Sequence, residues 1–544
     1  MVMRYPADPK SASQRQPSKS SQENAKSEGK LDSHVEIGGV DSMEDAKEDR
    51  VTVVDWDGPD DPSNPKNWTT KRKWSATLIV ACFTFVAPAA SSIISPAAHQ
   101  VAKEFGITSD VLLGMITSVY VLGFAVGPLL VGPLSEVFGR SRVLQVANLF
   151  FLIWNLACGF SQTTGQLIVF RLFAGMGGSA PFSIGGAVVG DTFHPEERGR
   201  AMALYALGPM LGPAVGPVAG GWIAEKTTWR WVFWSTSICN AFVLLAGLFL
   251  LQETYAPVLL ERKARKLAKE FSDALDNGSV EEGQSQSLDD AGENASSTHF
   301  RTIYEGSMDR RQVTNLDFSL LATSRTDPPL SSPSLSSIIS KALTRPFVLF
   351  VQEPILQLCG LYVAFVYGTF YIFVTTIPTI FRDVYHQSIG IAGLHYFALG
   401  FGLSFGSLVN STIMDRIYAH FKKRNGGVGE PEFRIPVLFP ASLFLPTGLL
   451  LSGWAAQKAV HWFATDVGIF LIGFAMLFSF QSIQTYIVDV FTLYAASGLS
   501  ATFCLRSLFA FGFPLFAPAL YKALGLGLGN TVLAALAIVI GCPA

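Results

Sequence analysis

An arginine deep in an apolar run is the first residue whose chemistry calls for a reason. Arg171 stands about five residues inside the run 167–190, with Gly175, Gly177 and Gly178 close behind. A guanidinium at that depth is costly in a bilayer and marks a functional position; its alternative is to snorkel to the headgroups. A second charged cluster lies in Gly132-Pro133-Leu134-Ser135-Glu136-Val137-Phe138-Gly139-Arg140-Ser141-Arg142, between two apolar runs. Gly132 and Gly139 permit a tight turn. Glu136 can pair with a cation or cap a neighbouring helix in one conformation only, which would bias a two-state rocking motion. Without that role the loop simply sets topology. A third pattern is a Gly-Pro repeat every four residues: Gly208-Pro209, Gly212-Pro213, Gly216-Pro217, then Gly220-Gly221. Glycines at that interval line one helix face and admit a second helix closely. The prolines remove backbone donors and kink the span.

Proton-carrying carboxylates are sparse. The first-half runs have none at mid-span. Asp191, Glu353, Asp415 and Asp489 lie near one set of span ends and Asp110 and Asp466 near the other. Any of them can titrate when occluded; Asp489, just past Tyr486, is the preferred second-half candidate. Other chemistries lack their parts. The 6 cysteines are scattered through apolar runs with no metal or redox spacing. There is no His/Asp metal cluster and no Gly-x-Ser-x-Gly elbow. No Gly-rich Lys-Ser/Thr phosphate loop is present, so ATP is not the expected energy source.

The elements that must position these residues are membrane helices. Of 544 residues, 49% are hydrophobic and only 15% charged, where a soluble domain carries about 25% charged residues. Nothing in the charge distribution suggests a nucleic-acid partner. Apolar runs fall near 74–94, 111–131, 143–160, 167–190, 201–223 and 231–251. After a polar insert they resume near 354–377, 389–413, 436–453, 464–487, 497–520 and 530–541. Most are long enough to cross a bilayer. The expected organisation is a disordered cytosolic region 1–70, a six-helix half 71–251, a largely disordered cytosolic loop 252–346, and a second six-helix half 347–544. The last run is short for a straight crossing, so a short or truncated final helix is expected. Lys71, Arg72 and Lys73 precede the first run, and Arg140, Arg142 and Lys422-Lys423-Arg424 fall on the same side. That bias puts the N-terminus in the cytosol.

The loop Gly132-x-Leu134-Ser135-Glu136-x-Phe138-Gly139-Arg140-x-Arg142 resembles the loop 2–3 signature of the major facilitator superfamily. The Gly-Pro repeat is similar to the superfamily's antiporter motif on helix five, and Arg171 to its fourth-helix arginine motif, which is linked to proton coupling. Pro65-Lys66-Asn67-Trp68, Asp191 to Arg200, Glu253 to Leu260 and Lys423 to Glu432 resemble fungal twelve-span drug:proton antiporters. The resemblance implies an all-α integral membrane fold of two six-helix halves. It implies export of small amphipathic drugs, toxins or metabolites by alternating access, with protons exchanged and no cofactor. It further implies a monomeric, multi-pass protein of the plasma membrane. Helices 1, 4, 7 and 10 would line the cavity, which offers Gln357, Tyr362, Phe365, Tyr367, Phe370 and Tyr371 from helix 7. Helix 10 adds Phe478, Phe480, Gln481, Gln484 and Tyr486. Aromatic walls with a few amides suit flat, amphipathic, even cationic molecules. Polyamine or organic-cation export is the alternative among transporters, and a non-transporting membrane sensor is the alternative of another class.

Overall fold

Long apolar runs leave the backbone no bonding partner but itself, so they form helices. The computed structural model describes residues 55–276, 335–491 and 495–541, and among these no strand occurs. The tail 1–54 and residues 277–334, expected to be disordered, lie outside the described residues.

The first half contains α1 (Thr70–Ser92), the short α2 (Ala98–Phe105), α3 (Asp110–Phe138) and α4 (Arg140–Gly159). It continues with α5 (Thr164–Gly178), α6 (Ala180–Thr192), α7 (Pro195–Lys226) and α8 (Trp229–Leu250). An amphipathic α9 (Ala256–Asp276) follows. The second half is led in by α10 (Leu335–Gln352) and contains α11 (Pro354–Asp383), α12 (Ile389–Leu394) and α13 (Tyr396–Arg424). It ends with α14 (Leu438–Gln457), α15 (Trp462–Phe491) and α16 (Ala495–Gly541). Eleven helical stretches are long and apolar enough to span a membrane, α5–α6 and α12–α13 each counting as one. The last of the eleven breaks at Gly525, whose φ of 75° and ψ of 172° are open to glycine and strained for other residues, so twelve spans result. The final span therefore starts at 526 rather than 530 and rises about 24 Å to Gly541.

Two parts expected to be disordered are ordered. Residues 55–68 form turns, with Asp61 accepting the Asp57 and Ser63 amide N–H groups. Lys263 Nζ of α9 ties them down, 2.6 Å from Asp57 Oδ1. Both ends of the 252–346 insert are helical, as α9 and the start of α10.

The spans alternate in direction, so Thr70, Phe138, Arg140, Arg424 and Asp489 share one face, called here the basic face. The halves meet along α3 against α16 and along α7 against α12 and α13. Within the first half α7 runs against α1, and its repeat sets their spacing. A Cβ on Gly208, Gly212 or Gly216 would lie 2.8, 2.7 or 2.5 Å from the carbonyl oxygens of Ala81, Phe85 and Ala89, and Gly220 sits closer still to that of Ile93. The repeat is thus a contact surface for α1, as its spacing predicts. α7 runs as a single helix from Pro195 to Lys226 through its three prolines, and Pro213 O accepts a hydrogen bond from Ser92 Oγ at 3.3 Å. On its other side Gly221 meets the α12 backbone, its Cβ position 3.0 Å from Ile389 O.

Candidate functional site

On the basic face the chain turns from α3 to α4 at Gly139, whose φ of 97° and tight fit against the Glu253 carboxylate leave no room for a side chain. Arg140 then opens α4 and gathers the network. Its backbone N–H donates to Glu253 Oε1 at 2.8 Å, Nε–H to Asp191 Oδ2 at 3.4 Å, and Nη1–H to Ser135 Oγ at 2.9 Å. The guanidinium lies 4.6 Å from the Tyr255 ring centre. Glu253 Oε1 also accepts the N–H groups of Thr254 and Tyr255, both at 3.1 Å. A carboxylate at the start of a helix satisfies orphan donors and suits the helix dipole.

Glu136, expected to make the ion pair or the helix cap, is instead exposed and forms no ion pair among the described residues; Arg142 is exposed too. Asp191 and Glu253 take those roles. Both stand 51 and 113 positions from Arg140, beyond what loop spacing can reveal.

The second half repeats the arrangement. Arg434, just ahead of α14, pairs with Asp489 near the end of α15 and lies 4.7 Å from the Tyr418 ring centre. Arg140 opens the third span and Asp191 ends the fourth; Arg434 precedes the ninth and Asp489 ends the tenth. An internal repeat of the two halves accounts for the match. Asp489, near its span end as expected, sits in a basic-face ion pair.

On the opposite face hydrogen bonds join the halves directly. Ser95 Oγ donates to Val374 O at 2.7 Å, the Tyr396 hydroxyl meets Ser95 Oγ at 3.1 Å and also Val374 O, and Ser91 Oγ meets the Tyr371 hydroxyl at 3.3 Å. Glu225, at the end of α7, accepts the Gly390 N–H at 2.6 Å and so caps α12 of the other half. Among the described residues, every side-chain hydrogen bond between the halves is of this set or of the neighbouring Ser388–Glu225 contact. His395 Nδ1 lies 2.8 Å from Asp466 Oδ2 on the same face, inside the second half, with its ring stacked on Phe381 at 3.5 Å.

Two arginines lie between the faces. Arg171 is fully buried and does not snorkel. Its guanidinium donates to Ala90 O at 3.4 Å, Ser91 O at 2.8 Å and Thr117 O at 3.1 Å. Ala90 and Ser91 are in the last turn of α1, where carbonyls lack helical partners and a cation is favoured. Arg171 thus clamps α1 and α3 onto α5.

Arg506 of α16 was not singled out from the sequence, although the criterion applied to Arg171, a guanidinium inside an apolar run, selects it equally. It is 6% exposed, and its guanidinium carbon lies 4.2 Å from the Tyr367 ring centre, 4.5 Å from Phe503 and 4.9 Å from Phe480. Of the cavity candidates, Tyr367, Phe370 and Tyr371 form one ring cluster, with Tyr367 5.9 Å from Phe370 and 5.2 Å from Tyr371. Gln357 lies elsewhere, donating to Phe350 O and Val351 O at the end of α10. Gln481 is tied to Ser407 and Asn410 of α13. Gln484 is half-buried, and Tyr486 is buried in the core of the second half.

This geometry, twelve spans in two repeated halves meeting at a central seam, has clear counterparts. The family model described as Major Facilitator Superfamily matches residues 80–514. The chain belongs to that superfamily. It is 39% identical over 490 residues to an uncharacterized transporter of Schizosaccharomyces pombe, covering 90% of each chain. It is 39% identical over 523 residues to the efflux pump vrtL of Penicillium aethiopicum, covering 96% of this chain and 94% of the relative. Among solved structures, a D-xylose-proton symporter superposes with a TM-score of 0.58 at 14% identity, over 86% of this chain and 96% of that one. The likeness to the symporter is one of fold. The chain is a multi-pass secondary transporter, not an enzyme.

Proposed function

We propose that this transporter exports small amphipathic molecules from the cytosol in exchange for protons, by rocking of its two halves. The observation that carries the reading is the asymmetry between the faces. Among the described residues, the side-chain hydrogen bonds across the seam lie on the opposite face, whereas the Arg140 and Arg434 networks each close within one half. Such an arrangement latches the halves by hydrogen bonds on one face, as one end state of alternating access requires. The basic clusters support placing the basic face, and with it the N-terminus, in the cytosol. The seam would then receive cargo from the cytosol and release it outside once Glu225–Gly390, Ser95–Val374 and Ser91–Tyr371 separate.

The efflux pump among the relatives supports the outward direction. The absence of acidic groups near mid-span in the described helices supports proton carriers near the faces. The reading assigns the proton route to carboxylates near the two faces, Asp466 beside His395 on the outer one and Asp191 and Asp489 on the basic one. A monomer at the plasma membrane is the form this reading assigns. The test is efflux of a preloaded amphipathic dye from energised cells expressing the chain. Efflux that stops with a protonophore agrees with the proposal, and a surface-localised protein that exports no dye in either condition opposes it.

A further inference from the structure

We infer that Arg506 and the rings around it form an anion subsite, so that the preferred cargo is an aromatic molecule bearing a carboxylate or another acidic group. This rests on the exporter reading above and names its substrate class.

The inference starts from the contrast between the two buried arginines. Arg171 spends its donors on the carbonyls of Ala90, Ser91 and Thr117, and so holds helices together. Arg506 makes no side-chain hydrogen bond among the described residues and meets the rings of Tyr367, Phe480 and Phe503 instead; its Nε–H, like that of Arg171, is buried with no acceptor. Ring faces stabilise a cation but leave its N–H groups without true acceptors. A guanidinium offers five such groups in a fork that fits a carboxylate. A buried donor without an acceptor, such as this Nε–H, carries a penalty that an incoming anion removes.

No residue nearby can serve as that anion. α16 contains no Asp or Glu at all. α11 has only Asp383 at its far end, and α15 has Asp466 and Asp489 near its two ends. α1 has none. The middle of the protein thus carries Arg171 and Arg506 with no compensating carboxylate from these helices, a field that repels organic cations and attracts anions.

The position suits cargo. Arg506 touches Tyr367, Tyr367 lies 5.2 Å from Tyr371, and the Tyr371 hydroxyl meets Ser91 of the first half. The guanidinium is therefore two rings from the seam that opens and closes. Tyr367, Phe480 and Phe503 are each only half-buried. An aromatic acid could set its ring among them with its carboxylate on Arg506. The polyamine alternative fits this site poorly, because it would bring a third and a fourth positive charge into it.

The test uses the purified full chain in lipid nanodiscs and three probes of one shape: 1-naphthoate, its neutral amide 1-naphthamide, and the cationic 1-naphthylmethylamine. Equilibrium binding is measured at neutral pH for the wild type, Arg506→Gln and Arg506→Lys. The expected result is at least tenfold tighter binding of naphthoate than of the amide or the amine. Arg506→Gln should abolish that preference while leaving amide binding within twofold, and Arg506→Lys should restore part of it. Naphthoate bound no better than the amide, or not bound at all, overturns the inference, as does equal loss of both probes in a monodisperse Arg506→Gln protein. The wild-type comparison decides the matter even if the variants misfold. Because the readout is binding, a preference for naphthoate without any transport would count against the exporter reading alone. Gradient-driven export of neutral or cationic probes that is indifferent to Arg506 would count against the anion subsite alone.

Discussion

Alanine placed in turn at Gly208, Gly212, Gly216 and Gly220 probes one helix contact at graded depth. At the first three positions a Cβ would stand 2.8, 2.7 and 2.5 Å from a main-chain oxygen of α1, and at Gly220 closer still. Real Cβ atoms essentially never come within 3.0 Å, so relief requires shifts of about 0.2, 0.3 and 0.5 Å, and more at Gly220. The opposing atoms are backbone carbonyls, which have no rotamer to change. Overpacking of this kind costs about 1–3 kcal/mol, while replacing a helical glycine by alanine returns about 1 kcal/mol. Gly208→Ala should therefore be close to neutral, Gly212→Ala and Gly216→Ala progressively destabilising, and Gly220→Ala worse by about 2 kcal/mol. The assay is apparent melting temperature of the detergent-purified proteins by tryptophan fluorescence, with initial efflux rate alongside. The melting temperatures should fall in the order Gly208, Gly212, Gly216, Gly220. Equal melting temperatures, or a stabilised Gly220→Ala, would refute the idea that the repeat exists to bring α7 onto α1.

Other perturbations follow from the networks. Glu225→Gln weakens the cap on α12 by about 1 kcal/mol, so a cysteine pair across Ser95 and Val374 should cross-link more slowly than in the parent protein, and unchanged cross-linking would exclude a latch. Glu253→Ala strips the Arg140 N–H and the Thr254 and Tyr255 N–H groups of their shared acceptor; efflux should fall at least tenfold with surface expression retained, whereas Glu136→Ala should have the smaller effect. Glu104 of α2 has its carboxyl held below the usual range, first by the Trp229 indole N–H at 2.7 Å and then by Arg230. A depressed carboxylate pKa gives stability that is present above the unfolded value and lost as pH falls through the folded one. The melting temperatures of wild type and Glu104→Gln should therefore differ at neutral pH and converge below the ordinary carboxylate range; a constant gap down to strong acid would contradict the pairing.

The spans were legible because lipid allows only one solution for an apolar run. The Gly-Pro repeat was legible because its interval matches a helix face, and Gly139 because the short loop forces a turn. What stayed hidden has physical causes. Asp191 and Glu253 reach Arg140 through the packing of distant spans, so the nearby Glu136 looked like the natural partner. The break at Gly525 lies between two apolar runs that hydropathy alone reads as edges. The resemblance places Gln357 and Gln481 on cavity-lining helices, yet backbone carbonyls and α13 side chains claim them. Arg506 needed its ring neighbours, drawn from α11, α15 and α16, before its difference from Arg171 had meaning.

The most direct measurement is transport by the purified chain reconstituted in liposomes with an imposed pH gradient. Vesicles with an acidic lumen and the basic face outward should accumulate an amphipathic aromatic probe and release protons as they do so. Collapsing the gradient with nigericin should stop both. A folded, correctly inserted protein that moves no probe under either gradient direction, or moves it without any proton flux, would contradict a proton-driven exporter.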